Sequence, residues 1–537
     1  MLRQSALSER PATRARPARF LQSSPFYAAV LSGVLLTLAF PDWGFEALGW
    51  VALMPLAWGA FHRPETAFRQ GFVCGLVFFW ASLVWLRHVT LPGWLALGCY
   101  LALYPAAWSW WLGKLRSRWP RFDGLTHLGI ALAGAAAWVA LEWTRGHFLT
   151  GFGWNGLGVT QYRALALIQI AEYTGIYGLS FLLAFFNLAF LLGILRMTSE
   201  KFSAARWRYE LTAALALMAV CVSIGARRLL DVSRAPPAHA LTVAMIQPNI
   251  PQSVKFNPDF EREGRDNLKR LTLQAAAARP DLILWPETAL VSGPGYNAEA
   301  AQFLGELSSQ VRVPMLIGTI DRDADEKRRL YYNSALLVDS RGGFVATYRK
   351  RHLVPFGEYV PFGSAFPWLR RMIGVNDDFG EGSGPQVVDF PLPSSPLKLR
   401  LGLLICFEDT LPEIARESAA ADTDILVNLT NDAWFGEEAA QRQQAAISVF
   451  RAVETRKPLL RCTNDGLTCV VRPDGRIVDE LTDPRQSMYF AGFKLARVAW
   501  AGFPPTFYQK TGDWIVALAA LICGGAGILL FIPKAKS

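Results

Sequence analysis

The chain has 537 residues, of which 52% are hydrophobic and only 18% charged, and its mean hydropathy of +0.21 is high for a water-soluble protein. The formal net charge is +10, but the basic residues form short clusters between apolar runs, which argues against a nucleic-acid-binding face. The cysteines include no CxxC pair and the histidines no HExxH motif, so a zinc site and a disulfide framework are disfavoured. These features favour a membrane protein without a metal or organic cofactor.

Eight apolar stretches of roughly membrane-spanning length follow one another along the chain. They cover residues 25–41, 45–61, 70–87, 92–113, 125–144, 164–195, 210–229 and 513–532. The Arg-rich N-terminus precedes the first stretch without a small-residue cleavage site after it, which predicts a retained span. Basic clusters at 114–121 and 196–208 share the cytoplasmic side with that N-terminus if 164–195 is one span. The pattern therefore predicts seven spans in residues 1–234 and an eighth in residues 506–537.

Three charged residues in or next to these apolar stretches bear on how the helices sit in the membrane. A carboxylate in the middle of a bilayer is costly, so the segment around Glu172 is expected at an interface instead of mid-membrane. Glu142 and Arg145 are spaced i,i+3 near the outer end of the fifth stretch and share a helix face. We expect these two side chains to pair with each other; the alternative is that Arg145 contacts a lipid phosphate.

Residues 235–505 have the pattern of a domain outside the membrane. Apolar segments of strand length recur at 241–246, 282–285, 314–320, 334–338, 399–405 and 425–429. Polar, helix-like stretches at 259–278 and 437–454 alternate with them, and the turn sequences at 341–343 and 473–475 predict hairpins. The expected fold is an α/β domain with a mixed, buried sheet, joined to the helical membrane part by the Pro- and Ala-rich segment 234–240.

Three strand ends of this domain carry residues capable of chemistry. Glu287 follows the strand 282–285, Lys350 ends a basic strand before a Pro/Gly loop, and Cys406 follows the strand 399–405. Ligands in open α/β sheets bind beyond such carboxyl ends. Each residue also has a structural interpretation: a capping or surface acid for Glu287, a solvated edge for Lys350, and a core thiol for Cys406.

Combined, the three residues form a complete set for acyl transfer through a thioester. A thiol nucleophile needs a base, and the domain holds only His239, in the linker, and His352, in the basic loop. A desolvated carboxylate can take the thiol proton instead, and a lysine can stabilise the thiolate and the tetrahedral oxyanion. The hypothesis is that Glu287 is the base, with His352 as the alternative.

The order of these motifs resembles the carbon–nitrogen hydrolase (nitrilase) superfamily. The motifs are Trp285-Pro286-Glu287, Tyr348-x-Lys350-x-His352-Leu353 and Cys406-Phe407-Glu408. A fuller set resembles one family, apolipoprotein N-acyltransferase, over nearly the whole chain. That set covers 247–252, 352–361, 428–436, 461–466 and, in the membrane part, 149–155. The resemblance implies an α-β-β-α sandwich on the periplasmic side of a bacterial inner membrane, held by a multi-pass α-helical membrane domain.

The same resemblance implies a reaction and roles for individual residues. A membrane phospholipid would donate a fatty acyl chain to Cys406, and the N-terminal amine of a diacylglyceryl-cysteine apolipoprotein would accept it. Supporting roles fall to Glu358, Glu408 and Asn333, and substrate contacts to Trp434, Phe256 and Phe407, with Arg145 as a further candidate. Phe256 stands where the family has tryptophan and Phe407 where tyrosine also occurs, so both positions stay aromatic. No cofactor and no nucleic acid is implied.

One more segment and two rival functions complete the predictions. Residues 366–373 are amphipathic and aromatic, which predicts an arm in the headgroup layer, with ordinary packing against the domain as the alternative. A membrane-tethered amidase that uses water as acceptor stays open. A transporter or lipid-binding scaffold with an inactive hydrolase-like domain is disfavoured because all three of Glu287, Lys350 and Cys406 are present.

Overall fold

The computed structural model of the chain describes residues 19–120, 123–199, 209–323, 330–361, 363, 368, 370, 378–391, 398–420 and 422–532. Parts of the predicted basic clusters, at 1–18, 121–122, 200–208 and 533–537, lie outside these residues. The N-terminal part is helical. Its helices are α1 (Arg19–Ala39), α2 (Met54–His62), α3 (Ala67–Ser82), α4 (Leu91–Arg118), α5 (Gly124–His147), α6 (Leu165–Ile168), α7 (Ala171–Ser199) and α8 (Tyr209–Arg234).

Three helical segments of the described chain are long and apolar enough to cross a membrane, judged by length and composition. They are Gly124–Thr150, Ala171–Thr198 and Tyr209–Arg234. Shorter apolar helices cover Ser24–Ala39 and Trp514–Leu530. The helical part therefore has the character of a membrane domain.

The apolar stretch 45–61 does not form one continuous helix. It folds as a 3₁₀ turn, Glu46–Trp50, followed by α2, whose nine residues reach about 14 Å of an apolar layer that is about 30 Å thick. Side chains satisfy the main chain at the break: Asn187 Oδ1 accepts from Leu53 N, and Ser32 Oγ accepts from Leu56 N. Hydropathy alone cannot show this break, because those two acceptors come from distant helices.

The α/β domain contains twelve described strands. They are β1 (His239–Gln247), β2 (Leu282–Leu284), β3 (Met315–Arg322), β4 (Tyr331–Val338), β5 (Phe344–Arg349), β6 (Val387–Pro391), β7 (Lys398–Ile405), β8 (Ile425–Thr430), β9 (Leu459–Thr463), β10 (Cys469–Val471), β11 (Ile477–Val478) and β12 (Gly492–Trp500). The six predicted strand segments are confirmed in β1–β4, β7 and β8, and both predicted hairpins are confirmed by the β4–β5 and β10–β11 pairings.

The strands form two sheets of six, not the one mixed sheet expected from the strand pattern. The orders are β12-β1-β2-β3-β4-β5 and β11-β10-β9-β8-β7-β6. Each sheet has a parallel centre, β1-β2-β3 in the first and β7-β8-β9 in the second, and antiparallel outer strands. The central parallel strands of both sheets are buried on two faces, and their sequences are apolar runs of the same kind. The hydrophobic pattern therefore cannot show which strand belongs to which sheet.

The remaining helices cover the sheets and close the chain. They are α9 (Gln252–Lys255), α10 (Pro258–Ala276), α11 (Ala298–Val311), α12 (Pro412–Ser418), α13 (Ala440–Thr455), α14 (Phe507–Thr511) and α15 (Trp514–Phe531). The two sheets share one apolar cluster, in which Val243 and Leu284 of the first meet Leu403 and Val427 of the second. Helices α10 and α11 pack on the outer face of the first sheet, and α12 and α13 on that of the second.

Helix α13 lies between the second sheet and the membrane domain and is buried along its length except at Arg442. Its Gln443 is 1% exposed, and the four hydrogen bonds of its side chain described below go to residues of the membrane part. The amide oxygen accepts from the indole nitrogens of Trp85 (3.1 Å) and Trp154 (2.8 Å). The amide nitrogen donates to the carbonyl oxygens of Pro41 (2.9 Å) and Ser82 (3.0 Å). One side chain therefore fastens the α/β domain to three separate loops.

Glu172 makes another polar contact between the helical part and the α/β domain. Its carboxylate accepts from Arg228 of α8 at 2.6 and 2.8 Å, and from Arg456, which directly follows α13, at 2.7 and 2.9 Å. The acid thus lies at the junction of the domains, where two guanidinium groups offset the cost of burying it. This agrees with the expectation that it is not in the middle of the bilayer.

We predict that Gln443→Leu destabilises the protein strongly. The substitution leaves two indole N–H groups and two carbonyls without partners, at about 1–3 kcal/mol for each buried group. Thermal unfolding in detergent should show a clear drop in Tm. The control is Gln302→Leu at an exposed position of α11, where the Gln302 side chain donates a hydrogen bond to Glu306. An equal Tm for the two variants would contradict the assigned role of Gln443.

Candidate active site

Cys406 lies at the sharp turn that follows β7. The chain leaves the strand at Ile405 and enters a 3₁₀ turn, Cys406–Thr410. Cys406 has φ +54°, in the left-handed region that a side-chain-bearing residue occupies at a cost of about 1–3 kcal/mol. Cys406 is 9% exposed, and β7, which it directly follows, pairs in parallel with the neighbouring strand β8. The surrounding structure must therefore hold this residue in place.

The fully buried carboxylate of Glu408 holds the turn. Four groups donate to it: the main-chain nitrogens of Ile405 (2.8 Å), Arg351 (2.6 Å) and His352 (3.1 Å), and the hydroxyl of Tyr348 (2.8 Å). Three of these donors belong to the segment that contains Lys350. Glu408 therefore ties the Cys406 turn of the second sheet to the strand of the first sheet that precedes Lys350.

Asp409 fixes the same turn from the other side. Its carboxylate accepts from Arg461 of β9 at 2.9 Å, from Ser448 at 2.6 Å and from Gln444 at 2.9 Å. Arg461 is fully buried and also donates to Asp432 at 2.7 Å. The predicted set of site residues omits Arg461 and Asp409; the signal for them is the acid directly after the Cys-Phe-Glu motif and the arginine that opens the segment 461–466.

Four predicted residues meet in one buried cluster. The Lys350 ammonium, 1% exposed, lies 2.9 Å from the Glu358 carboxylate and 3.4 Å from Glu287 Oε1. Asn333 Nδ2 donates to both acids, at 2.6 Å to Glu287 and 2.7 Å to Glu358. Within the described chain, the second Glu287 oxygen, Oε2, is buried and makes no hydrogen bond. One carboxylate oxygen of Glu287 is thus fixed, and the other is available to take a proton.

The electrostatics of the cluster keep the lysine charged and the thiol neutral. Burial acts to lower the pKa of Lys350, but the Glu358 and Glu287 carboxylates outweigh it and raise that pKa above its ordinary value. Burial raises the pKa of the Cys406 thiol, the Glu287 charge raises it further, and Lys350 partly opposes both. A resting thiol of this kind requires a base to react.

His352 is placed differently from a base paired with the thiol. Its ring stacks on Phe407 with centroids 5.9 Å apart, and among the described residues no hydrogen bond joins it to Cys406. Burial and the Lys350 charge lower the pKa of His352, so it is neutral at pH 7. The geometry favours Glu287 over His352 as the group that receives the thiol proton.

The predicted aromatic residues occupy different surroundings. Trp434, in the 3₁₀ turn Asp432–Phe435, is 40% exposed, and Phe256, directly after α9, is 49% exposed. Phe407 is buried, and its ring lies 6.2 Å from those of Phe152 and Trp154 in the loop after α5. The turn that carries Cys406 therefore packs against a loop of the membrane domain.

The expected ion pair between Glu142 and Arg145 is not formed. The Glu142 carboxylate accepts from Trp138 (3.0 Å), Ser180 (2.6 Å) and the main chain of Leu157 (2.8 Å). Arg145 is buried, donates to the carbonyl oxygen of Trp154 at 2.6 Å, and lies over the Phe79 ring at 5.4 Å. The returning loop after α5 supplies better-placed partners to both side chains, which sequence spacing cannot reveal.

The predicted headgroup arm, residues 366–373, lies outside the described residues except at Trp368 and Arg370, where the Trp368 side chain is 57% exposed. Within the described ranges, no three His, Cys, Asp or Glu side chains are grouped to hold a metal ion. The arm and its contact with lipid stay predictions.

Comparison with known proteins adds two family matches. The family model described as Apolipoprotein N-acyltransferase N-terminal domain matches residues 32–189, and that described as Carbon-nitrogen hydrolase matches residues 242–500. Relatives named Apolipoprotein N-acyltransferase include that of Geobacter metallireducens, 34% identical over 95% of this chain and 96% of its own, and that of Brucella suis, 31% identical over 94% and 95%. An amidase from Nesterenkonia sp. aligns in structure with 53% of this chain and 98% of its own, at 18% identity and a TM-score of 0.38.

We predict that Glu408→Ala both destabilises the protein and slows alkylation of Cys406 by iodoacetamide. Four buried donors lose their acceptor, each at about 1–3 kcal/mol, and the strained turn is released. The rate is followed by peptide mass. Glu417→Ala on α12 is the matched control, because that acid is exposed and only its carboxylate's bond to Arg351 is lost. An unchanged alkylation rate in Glu408→Ala would contradict the anchoring role.

Proposed function

The chain belongs to the apolipoprotein N-acyltransferase family and is an acyltransferase, and we propose that it moves a fatty acyl chain from a membrane phospholipid to the N-terminal amine of a diacylglyceryl-cysteine apolipoprotein through a thioester on Cys406. The resemblance read from the order of motifs is thereby confirmed, and the carbon–nitrogen hydrolase fold of residues 242–500 with it. The proposal rests on one observation: Cys406, beside the Glu287–Lys350 cluster, stands on a turn that packs against the membrane domain.

The first half-reaction forms the thioester. Glu287 takes the thiol proton through its unpaired oxygen, and the Cys406 sulfur attacks the ester carbonyl of the phospholipid. Lys350 stabilises the negative charge that develops on the carbonyl oxygen. When the tetrahedral intermediate collapses, the carbon–oxygen bond breaks and the lysophospholipid leaves with the proton returned by Glu287.

The second half-reaction forms the amide. The acceptor amine is largely protonated near pH 7 and first loses one proton to the solvent. The free amine then attacks the thioester carbonyl, and Glu287 removes a second proton from the nitrogen. Lys350 again stabilises the oxyanion, the carbon–sulfur bond breaks, and the proton held by Glu287 returns to the Cys406 sulfur. Asn333 and Glu358 keep Glu287 and Lys350 in place through both steps.

The arrangement in the cell follows from the same proposal. Residues 1–234 and 506–537 form a multi-pass membrane domain in the bacterial inner membrane, and residues 235–505 form an α-β-β-α sandwich on its periplasmic side. Trp434 and Phe256 are the exposed aromatic residues offered to the lipid chains, and Arg145 supports the loop beneath the site. A membrane-tethered amidase that uses water would share the thioester and differ only in the acceptor.

We predict that Glu287→Gln forms no acyl-enzyme, because the variant keeps the shape of the side chain but cannot accept the thiol proton. Intact-protein mass is measured after incubation with phospholipid and no acceptor; Cys406→Ala is the blank, and His352→Phe should still accumulate the adduct. A full adduct on Glu287→Gln together with none on His352→Phe would transfer the role of base to the histidine. A wild-type adduct that water releases as fast as an acceptor amine would favour the amidase.

We predict that a reporter active only outside the cytoplasm is active when fused after Ala240 and silent when fused after Lys536. The physical reason is that the basic clusters orient the spans, so that the α/β domain is exported and the C-terminus returns. Both fusions are compared at equal expression, with a reporter active only inside as the complement. The reverse pattern would show that the number of spans before residue 235 is even.

A further inference from the structure

A second buried lysine lies beside the cluster and has no part in the two half-reactions above. Lys255, the last residue of α9, is 5% exposed, and its ammonium donates to the main-chain oxygen of Glu287 at 2.9 Å. The charges of Glu287 and Cys406 both act on it. Burying an ammonium is expensive unless nearby anions repay the cost, so the position of Lys255 requires an explanation.

The segment that carries Lys255 is fastened to the loops of the opposite sheet. Asn464 Oδ1 accepts from Ile250 N at 3.1 Å, and Asn464 Nδ2 donates to Ile250 O at 2.8 Å. Asn431 Nδ2 donates to Gln252 Oε1 at 2.9 Å. The segment that carries this lysine therefore bridges the two sheets. These contacts keep the Lys255 ammonium next to Glu287.

The balance of charge shows what this lysine contributes. The cluster holds two acids, the buried Glu287 and the partly buried Glu358, so Lys350 alone would leave it with one excess negative charge. With Lys255 the cluster is neutral. It remains neutral when the proton moves from Cys406 to Glu287, and again when the negative charge passes from sulfur to the oxyanion. In a site of low dielectric, an excess negative charge would oppose both of these steps.

We propose that Lys255 is a positioning residue for acyl transfer and acts through Glu287. Its ammonium fixes the main chain of that acid. It also supplies the second positive charge, which keeps the site neutral as negative charge forms on the Cys406 sulfur and then on the oxyanion. The inference deepens the proposed function and rests on it for the identity of the reaction. The thiol chemistry on which it bears can be measured without any lipid.

The titration of Lys255 provides an independent signature. Burial lowers its pKa to about 8, against the opposing charges of Glu287 and Cys406. On the side of α10, the groups that line the same small cavity are Glu261 and Arg265, and Arg265 is paired with Glu299. The protonated form is the one that supports the reaction. Formation of the acyl-enzyme should therefore be supported below about pH 8 and decline as the pH rises through that value.

The test compares Lys255→Met, Lys255→Arg and Lys398→Met in the full-length protein in detergent. Lys398 is an exposed lysine at the opposite end of β7 and serves as the control. Alkylation of Cys406 by iodoacetamide at pH 7, followed by peptide mass, reports the thiol alone. Acyl-enzyme formation from phospholipid across the pH range reports the reaction, and thermal unfolding verifies that each variant is folded.

We expect alkylation of Lys255→Met to be about 100-fold slower than that of wild type, while Lys398→Met is unchanged. Lys255→Arg should recover most of the rate and lose the decline above pH 8, because a guanidinium keeps its proton. The proposal would be overturned if Lys255→Met were alkylated at the wild-type rate, or if the Met and Arg variants were alkylated equally slowly.

If the Met variant does not fold, the Arg variant provides the test. Acyl-enzyme formation by Lys255→Arg that still declines near pH 8 would refute the role of the charge. A wild-type protein that forms no acyl-enzyme would refute the proposed function, while the alkylation comparison would still test Lys255.

Discussion

Helix α13 is buried along its length except at Arg442, and its polar side chains join the Cys406 turn to the membrane domain. Gln443 points toward the membrane loops, where it bonds Trp85 and Trp154. One residue later, Gln444 points the other way and bonds Asp409 in the Cys406 turn. Neither set of bonds can be remade with water in the folded protein. The position of the thiol relative to the lipid-facing part is therefore fixed by one rigid element.

The charged groups of the active site are likewise held by hydrogen bonds and ion pairs. Strain at Cys406 persists because Glu408 and Asp409 hold its turn from two sides, and each of these acids accepts several hydrogen bonds. Lys350 stays protonated between Glu287 and Glu358, which leaves a single carboxylate oxygen without a bond. In the proposed mechanism, this oxygen is the atom that accepts the thiol proton. Preorganisation of this kind places the main cost in folding, so that little reorganisation is left for the reaction.

The sequence predicted local elements and strand ends well, and long-range partners poorly. Strands β1–β4, β7 and β8 stand where apolar runs indicated, because burial and strand length leave a local pattern. The division into two sheets, the break in 45–61 and the loss of the Glu142–Arg145 pair all depend on partners distant in the chain, such as Asn187 or the loop at Trp154. Lys255 was missed for the same reason: a lysine in a short polar helix looks like a surface residue until its neighbour Glu287 is known.

The contact between the two domains also bears on the choice of acceptor. Phe407 packs against Phe152 and Trp154, so the side of the Cys406 turn that faces the membrane domain is lined by aromatic rings. Water that reaches a thioester hydrolyses it, and an apolar wall on the membrane side reduces the paths by which water can arrive. An acyl chain bound along that wall would extend it further. The loop that packs against the Cys406 turn thus also covers its membrane-domain side with aromatic rings, which is a physical basis for transfer over hydrolysis in the proposed function.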